Sequence, residues 1–345
     1  MDSDGGQTPE CLQLIALGDI DPEDERFRIT TRYASDDLQS SIDRLGLLSA
    51  PLVLRQSSGF MLVSGFRRVA ACRSLGWEHI RAGVLPSEAS LYACACRAVG
   101  ENSTQRPLDL IETGRSLRLL ERHAPDGRIP TADLAALGLP SNLEMASRIK
   151  DLCGLPAPVQ EGIIEGAISF AMAVELAGMA TGLAVDLAVL FRELRISLNK
   201  QREVVALIAE IALREAIPAR EVLAEAQSAL LPKTGDLDRN QKARHLRKLL
   251  RQRRFPGLHA AEQNFHALRQ RLNLGATLQI TPPRDFESIG LTLSATVETP
   301  EDIERLQSKL EELAKQPDLR MLLEGKGGFF RPPSGPPGSA NKRQP

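Results

Sequence analysis

The residue periodicity changes twice along this chain of 345 residues, and these changes limit the folds that it can adopt. Short apolar runs typical of strands occur between residues 51 and 85, whereas helical spacing alone follows from residue 131. Near residue 257 the pattern becomes a helix, two strands and a helix. At about 150 residues per domain, the length suits two or three cores. We therefore predict an α+β multidomain protein with a small α+β domain, an all-helical domain and a small C-terminal domain of helix, strand, strand and helix.

The first region centres on a hairpin that leads into a helix. The runs at 51–55 and 60–64 predict two strands closed at Gly59, and residues 66–75 have helical spacing that ends at Gly76. Other elements predicted here are a helix capped by Ser35, a strand at 79–85, a helix from Ser87 to about Val99 and a helix that begins near Pro107.

A glycine turn and two arginines stand at the start of the helix at 66–75. Gly65, Arg67 and Arg68 combine free backbone N–H groups, the positive end of the helix dipole and guanidinium groups, all of which favour a phosphate. Glu101 and Asn102, predicted to follow the next helix, offer oxygen ligands suited to magnesium held with a nucleotide. The pattern leaves two alternatives open, because arginines at a helix start often lie on a solvated face and Glu-Asn often ends a helix.

The helical region begins with the outline of a helix-turn-helix. Thr131 and Ser141 are predicted to cap two helices that are joined through a turn at 138–140. The second helix would place polar and basic side chains in a DNA major groove; these are Ser141, Asn142, Arg148 and Lys150. Two helices packed inside a bundle are the open alternative. Further helices are predicted at about 156–165, 169–178, 183–195, 198–216 and 218–230.

The net charge of −1 conceals strong segregation of charge. Residues 1–25 hold eight acids and no Lys or Arg, whereas 239–254 hold eight bases and no acid. The last 21 residues hold five Gly, five Pro and four bases, which predicts a disordered basic tail at 325–345. Residues 1–14 are predicted to form an acidic disordered arm. The basic run is either a flexible arm that binds DNA or a solvated helix face, and its candidate contacts are Arg247, Lys248 and Arg251.

Several classes of protein lack support in the sequence. The five cysteines show no C-x-x-C spacing and the five histidines lie apart from them, so neither a disulfide framework nor a zinc site is indicated. No apolar run approaches the roughly 18 residues of a membrane span, and the N-terminus is acidic. Serine-hydrolase and P-loop motifs are not found. We expect a cytoplasmic protein with no membrane partner.

The ordered motifs resemble those of the ParB family of DNA-partition proteins from about residue 15 to residue 315. Ile20, Pro22 and Arg28 are similar to its N-terminal Ile-x-Pro and Arg pattern. The segment at 41–77 is similar to the stretch that holds its Gly-Glu-Arg-Arg box, and ENSTQR at 101–106 to its Glu-Asn-x-x-Arg box. Further similar segments are LPAPVQEGIIEGAIS at 155–169, ISLNKQREVV at 196–205, and the C-terminal LGATLQI, GLTLSATV and the helix from 299.

This resemblance implies a homodimeric clamp on a centromere-like double-stranded DNA site, associated with the nucleoid and partnered by a ParA-type ATPase. CTP and Mg2+ would bind the N-terminal domain, and nucleotide and DNA together would close the dimer so that it slides. Asn199 and Lys200 would support DNA contact, and Asn142 would face bases. Phosphates would be held by Gly65, Arg67, Arg68, Arg28 and Arg106, and the metal by Glu101 and Asn102. The implied domains are nucleotide-binding at 15–123, DNA-binding at 124–232, a basic linker at 233–256 and dimerisation at 257–324.

The sequence departs from the ParB pattern at three places. Phe66 replaces the glutamate of the Gly-Glu-Arg-Arg box and removes a carboxylate that could serve the metal or hydrolysis. One inserted residue displaces Arg106, and residues 1–25 lack the basic peptide that commonly engages ParA-type ATPases. CTP binding is therefore predicted more firmly than CTP hydrolysis. Two alternatives on the same scaffold are a transcriptional repressor or plasmid regulator and a nucleotide-dependent phosphotransfer enzyme.

Overall fold

A computed structural model gives the fold of residues 11–31, 36–230, 237–272, 274, 278–283, 286 and 290–324. The chain divides into two compact units, Met1–Gln201 (unit 1) and Arg202–Pro345 (unit 2). Ser35, residues 1–10 and residues 325–345, for which we predict a helix cap, an acidic arm and a basic tail, lie outside the described residues. Within the described ranges, no helix is long and apolar enough to cross a membrane.

Unit 1 begins with a four-stranded sheet in the order β1-β4-β2-β3. The predicted hairpin is confirmed, because β2 and β3 pair antiparallel. Their apolar residues are largely buried, whereas Arg55 at the turn is exposed. Strand β4 pairs parallel to β2 and antiparallel to β1. The elements of this half are β1 (Cys11–Ala16), α1 (Asp36–Leu45), β2 (Leu52–Arg55), β3 (Phe60–Ser64), α2 (Phe66–Ser74), β4 (His79–Leu85), α3 (Leu91–Gln105) and α4 (Leu110–His123).

Strand β1 corrects one expected boundary. Residues 11–14, which we assign to a disordered arm, belong to β1 and pair with residues 81–84 of β4. Pairing with β4 explains the strand, since Leu12 and Leu14 are exposed and Ile15, which follows the run, is buried in the core.

Helix α3 also differs from its predicted bounds. It begins after Ser90, whose side chain accepts a hydrogen bond from the Ala93 N–H, and it continues to Gln105. We predict an end near Val99, but Gly100 lies inside the helix and does not stop it. A single glycine costs a helix interior only about 1 kcal/mol. Glu101 and Asn102 therefore lie within α3 rather than after it.

The remainder of unit 1 is helical, as predicted, although two caps are shifted by one residue. Pro130 precedes α5, so Thr131 is its first residue and not its cap. The Asn142 side chain caps α6 by accepting from the Met145 N–H at 2.9 Å, and Ser141 lies just before it. The helices are α5 (Thr131–Ala136), α6 (Leu143–Leu152), α7 (Ala157–Ile164), α8 (Phe170–Ala177), α9 (Thr181–Leu194) and α10 (Leu198–Glu215), which continues into unit 2.

One apolar core joins the sheet half of unit 1 to helices α5 and α6. It includes Val63 and Leu120 on one side and Leu134 and Ile149 on the other. Helix α4 approaches α6 closely at Gly114, where an added Cβ would lie 2.6 Å from the Cys153 Sγ and 2.7 Å from the Ile149 carbonyl oxygen. The position of α6 is therefore fixed by the N-terminal core.

Unit 2 confirms the predicted order of helix, two strands and helix. Thr299 and Asp302 form the expected capping box at the start of α14. Strands β5 and β6 pair antiparallel, and a short final helix follows that we do not predict. The elements are α11 (Ala219–Leu230), α12 (Arg239–Arg254), α13 (Pro256–Leu272), β5 (Leu278–Thr281), β6 (Thr292–Ala295), α14 (Pro300–Lys315) and α15 (Pro317–Leu323).

The basic run at 239–254 is a packed helix, so of the two predicted alternatives the helix is confirmed and the flexible arm is wrong, while residues 233–236 of the predicted basic linker lie outside the described residues. Asp238 caps α12 in a capping box with Gln241. The apolar residues Ala243, Leu246 and Leu250 recur at helical spacing and are buried. Burial of this face holds the helix in the core of unit 2.

Candidate functional site

The junction between β3 and α2 has the backbone of an anion site. Ser64 ends β3, and Gly65 precedes α2 with a φ of +87°, a left-handed conformation that favours glycine. A Cβ added at Gly65 would lie 2.7 Å from the Cβ of Pro51, so a side chain is also excluded by contact. The first N–H groups of α2 carry the positive end of the helix dipole.

The side chains of the predicted residues Arg68 and Glu101 meet that of Ser64 beside the start of α2. Arg68 forms an ion pair with one oxygen of Glu101, and the Ser64 hydroxyl donates to the other oxygen. Arg68 also donates to the carbonyl and hydroxyl oxygens of Ser49 at 2.8 and 2.7 Å. The Arg68 and Glu101 side chains are 15% and 26% exposed, so the pair lies partly in contact with solvent. We call Ser64, Arg68 and Glu101 the α2 cluster.

Charge in the α2 cluster is balanced within the protein. A phosphate that took the guanidinium of Arg68 would separate it from Glu101. The released carboxylate would then suit a hard cation such as Mg2+. The arrangement fits a nucleotide bound together with a divalent cation.

Two further predicted phosphate ligands line a cavity on the other side of α2. This cavity has a volume of about 100 Å³, and its walls include Arg28 and Arg67. Arg28 forms an ion pair with Glu25, which also lines the cavity. The complete lining consists of Asp21, Pro22, Asp24, Glu25, Arg28, Leu62, Phe66, Arg67, Val69, Ala70 and Arg73. Its acidic side and Arg73 are not predicted from the sequence, because only the tertiary fold brings residues 21–25 against α2.

Phe66 has a packing role that explains an aromatic residue at the first position of α2. Its ring is half-buried and contacts both apolar clusters of unit 1, one on each side of the sheet region. It also lines the cavity beside Arg67. A glutamate at this position would place a charge against apolar surface.

Arg106 is engaged away from the predicted phosphate ligands. Its guanidinium donates to both oxygens of Glu112 at 2.6 Å, and the Glu112 side chain is fully buried. Burial alone would raise the pKa of Glu112, but hydrogen bonds from Arg106, Thr31 and Asp109 outweigh it and lower the pKa to about 2. We call Arg106 and Glu112 the α4 pair. Its geometry indicates a structural role.

Asn102 and Glu101 are neighbours in α3 and therefore point about 100° apart around the helix. The amide nitrogen of Asn102 donates to the Ala98 carbonyl oxygen at 2.7 Å. Among the residues that the structure describes, no group of three His, Cys, Asp or Glu side chains could hold a metal ion. Any cation here would thus need ligands from a nucleotide as well as from Glu101.

The predicted DNA-binding side chains of α6 are partly engaged within unit 1. Arg148 forms an ion pair with Glu144 at 2.7 Å, and Lys150 contacts both oxygens of Glu121 at 2.8 Å. Asn142 serves as the cap of α6, and Ser141 beside it is exposed.

The other candidates for DNA contact lie on α10 and α12. Asn199 and Lys200 are exposed in the first turn of α10. Arg247 donates to Glu203 at 2.7 Å, whereas Lys248 and Arg251 are exposed.

Comparison with solved structures finds similar chains among ParB proteins, at low identity and low TM-score. The chain is similar to C-terminally truncated chromosome-partitioning protein ParB from Caulobacter crescentus complexed with CTP-gamma-S, at 21% identity and a TM-score of 0.25 over 52% of this chain and 98% of that one. It is also similar to the same ParB complexed to the centromeric parS site, at 18% identity and a TM-score of 0.33 over 55% of this chain and 96% of that one. A third similar structure is a Pnob8-like ParB-N domain, at 13% identity and a TM-score of 0.26 over 70% of this chain and 93% of that one. No family model matches the chain, and no curated relative is found.

Proposed function

We propose that this chain is a DNA-binding partition protein that binds a cytidine triphosphate with Mg2+ in unit 1. The observation that carries the proposal is the α2 cluster, in which Arg68 and Glu101 meet at the Gly65 turn. The nucleotide base is taken from the resemblance to ParB, since the cluster recognises phosphate and not a particular base.

The phosphates would bind where α2 begins. Backbone N–H groups after Gly65 and the guanidinium of Arg68 supply the positive charge, and Arg67 and Arg28 line the cavity on the other side of α2. Arg106 is left out of the proposed phosphate ligands, because the α4 pair uses its guanidinium.

The divalent cation would be held by Glu101 together with phosphate oxygens. Mg2+ prefers oxygen ligands and is commonly bound through one or two carboxylates plus substrate phosphates. When bound, it would neutralise charge on the nucleotide. Asn102 would assist through its amide oxygen.

DNA would bind through the helical part of unit 1. The exposed residues at the start of α6 include Ser141 and Leu143, the latter 81% exposed, and a recognition helix reads bases with its N-terminal residues. Asn199 and Lys200 would add contacts from α10. In this proposal α5 and α6 form a helix-turn-helix, and the protein is nucleoid-associated.

A second copy of the chain would pack on the C-terminal part of unit 2. All four residues of β6 are exposed, although a two-stranded sheet is stable only when it is packed against further structure. Exposed apolar side chains of this part of the chain are Leu293 in β6 and Val297, Ile303 and Leu310 after it. Analytical ultracentrifugation tests the point: the chain should sediment as a dimer and Leu293→Glu with Ile303→Glu as a folded monomer, whereas a wild-type monomer would contradict it.

Nucleotide crosslinking tests the proposed site in unit 1. Radiolabelled CTP should label the full chain in Mg2+ and should label Arg68→Ala at least tenfold less, since a charge-assisted bond contributes about 1.5 to 3 kcal/mol. Arg81→Ala, which removes an exposed arginine from β4, should label like the wild type. Preferential labelling by ATP with transfer to a small acceptor would instead indicate a phosphotransfer enzyme.

Crosslinking of the tagged protein to DNA in cells, followed by sequencing, tests the partition role. Enrichment at one cluster of sites near a replication origin, with a ParA-type ATPase gene nearby, is the expected result. Many promoter sites would indicate a repressor, and the absence of any discrete site would contradict DNA recognition.

A further inference from the structure

Six of the eight bases of helix α12 lie on two different faces, three on each. Three arginines on the packed side form ion pairs with glutamates of α10 and α11 inside unit 2. These pairs are Arg247 with Glu203 at 2.7 Å, Arg254 with Glu210 at 2.6 Å, and Arg253 with Glu215 and Glu225 at 2.7 Å each. Ala243, Leu246 and Leu250 are buried beside them, and these arginines have their charges balanced within unit 2.

The outward face carries three other bases at helical spacing. Arg244, Lys248 and Arg251 are exposed and stand at positions i, i+4 and i+7, within an arc of about 60°. Within the described part of the chain, Arg244 and Lys248 form no ion pair. Arg251 is 68% exposed and lies 3.7 Å from Glu203, which Arg247 already binds more closely. We call these three bases the α12 row.

We propose that the α12 row binds the phosphate backbone of double-stranded DNA without regard to sequence. The row spans about 10 Å along the helix, since each residue rises 1.5 Å, and this length corresponds to about three base-pair steps along DNA. The proposal rests on the proposed DNA-binding function and adds to it a second contact surface in unit 2. Within the described residues, Arg244 and Lys248 have no acidic partner and Arg251 has only the long contact with Glu203, whereas the arginines of the packed face are paired at 2.7 Å or less.

Two features favour a polyanion with regular phosphate spacing over a membrane. The apolar residues Ala243, Leu246 and Leu250 lie on the opposite face and are buried, so the row has no apolar side chains to insert into lipid. The ion pairs and the buried face hold α12 in place, so phosphate binding would order only the three outward side chains. The row therefore suits the phosphates of double-stranded DNA better than a membrane surface.

Salt-dependent binding of the full chain tests the α12 row. The probe is a fluorescent DNA duplex of mixed sequence and about 24 base pairs, titrated at several salt concentrations, where each phosphate contact adds about 0.9 to the slope of log K against log salt. The α12 variant combines Arg244→Gln, Lys248→Gln and Arg251→Gln. Its slope of log K against log salt should be smaller by about 3, and its affinity for the duplex should be lower by roughly tenfold or more. The matched control removes three exposed bases elsewhere in unit 2, through Arg269→Gln, Arg305→Gln and Lys315→Gln.

The outcomes separate this inference from the proposed function. An unchanged slope in the α12 variant, or an equal loss in the control, would overturn the α12 row as a DNA contact. A loss for an RNA duplex but not for DNA would overturn it as well, as would a wild-type chain that binds no duplex. If the α12 variant loses slope while the wild type enriches no discrete genomic site, the row stands and the partition role fails. Circular dichroism of both variants confirms that they are folded.

Discussion

Two of the arginine–glutamate pairs of unit 1 have the same chemistry and different surroundings. In the α2 cluster, Arg68 and Glu101 are both partly exposed and stand at a helix N-terminus that suits an anion. In the α4 pair, Glu112 is fully buried and also accepts hydrogen bonds from the backbone of Thr31 and Asp109. The first pair can exchange partners at low cost, whereas separation of the second would leave a buried charge uncompensated.

Of the variants that test the difference between the two pairs, removal of the buried Glu112 charge should lower stability most. Glu112→Gln should lower the free energy of unfolding by about 4 kcal/mol, because breaking a buried ion pair costs about 3 to 5 kcal/mol. Urea unfolding followed by the fluorescence of Trp77, the only tryptophan and a part of unit 1, measures this loss. Glu101→Gln is the control and should lose less than about 1 kcal/mol. Equal losses in the two variants would contradict the distinction between the pairs.

The α4 pair should also make the stability of unit 1 depend on acid. The folded-state pKa of Glu112 is about 2, below its ordinary value of 4.5. Its contribution is therefore fully present above pH 4.5 and is lost as the pH falls towards 2, by about 3 kcal/mol in total. The difference in unfolding free energy between the wild type and Glu112→Gln should shrink over that window. A difference that stays constant from pH 5 to pH 2 would rule out this carboxylate as the source.

An alanine at the turn before α2 should have the next largest effect. Gly65→Ala adds a Cβ at 2.7 Å from Pro51 and at a φ of +87°, whereas Gly76→Ala adds one at a φ of +74° in open space. Thermal melting should show Gly65→Ala to be less stable than Gly76→Ala by about 2 kcal/mol, the usual cost of overpacking. Equal melting temperatures would mean that the turn has room for a side chain.

The smallest effect concerns the hydroxyl in the α2 cluster. Ser64→Ala removes a buried donor to Glu101, while the ion pair with Arg68 remains. The unfolding free energy should fall by about 1 kcal/mol, the net contribution of one hydrogen bond. Ser49→Ala, which leaves Arg68 its backbone acceptors, should change it less. A larger loss in Ser49→Ala would indicate that Arg68 depends on that hydroxyl.

Local signals in the sequence predict much of the fold. The hairpin, the strand at 79–85 and most helices are confirmed, because alternation and helical spacing are visible in short windows. The errors at α3 and α12 have local causes too. Gly100 suggests a helix end although one glycine is tolerated there, and the Asp238 to Gln241 capping box of α12 is overlooked behind its charge.

The site could be predicted only in part, because its pairings join residues far apart in sequence. The glycine turn and Arg68 are evident at 65–68, and Glu101 is recognised as a possible partner of the same site. Ser49 and the acidic wall of the cavity come from loops that only the tertiary fold brings to α2. The ion pair of Arg106 with Glu112 joins residues only six apart, and the capping box of Asp109 and Glu112 is a local signal that could have revealed part of it.

Calorimetric titration of the full chain with CTP, with and without Mg2+, tests the central claim that the α2 cluster opens to bind a nucleotide. We expect the wild type to bind CTP in Mg2+, and Arg68→Gln to bind at least tenfold more weakly, since a charge-assisted hydrogen bond contributes about 1.5 to 3 kcal/mol. Arg81→Gln should bind as the wild type does, and removal of Mg2+ should weaken binding because Glu101 then faces the phosphates without a cation. Equal CTP affinity in Arg68→Gln, or no binding by the wild type, would contradict the account.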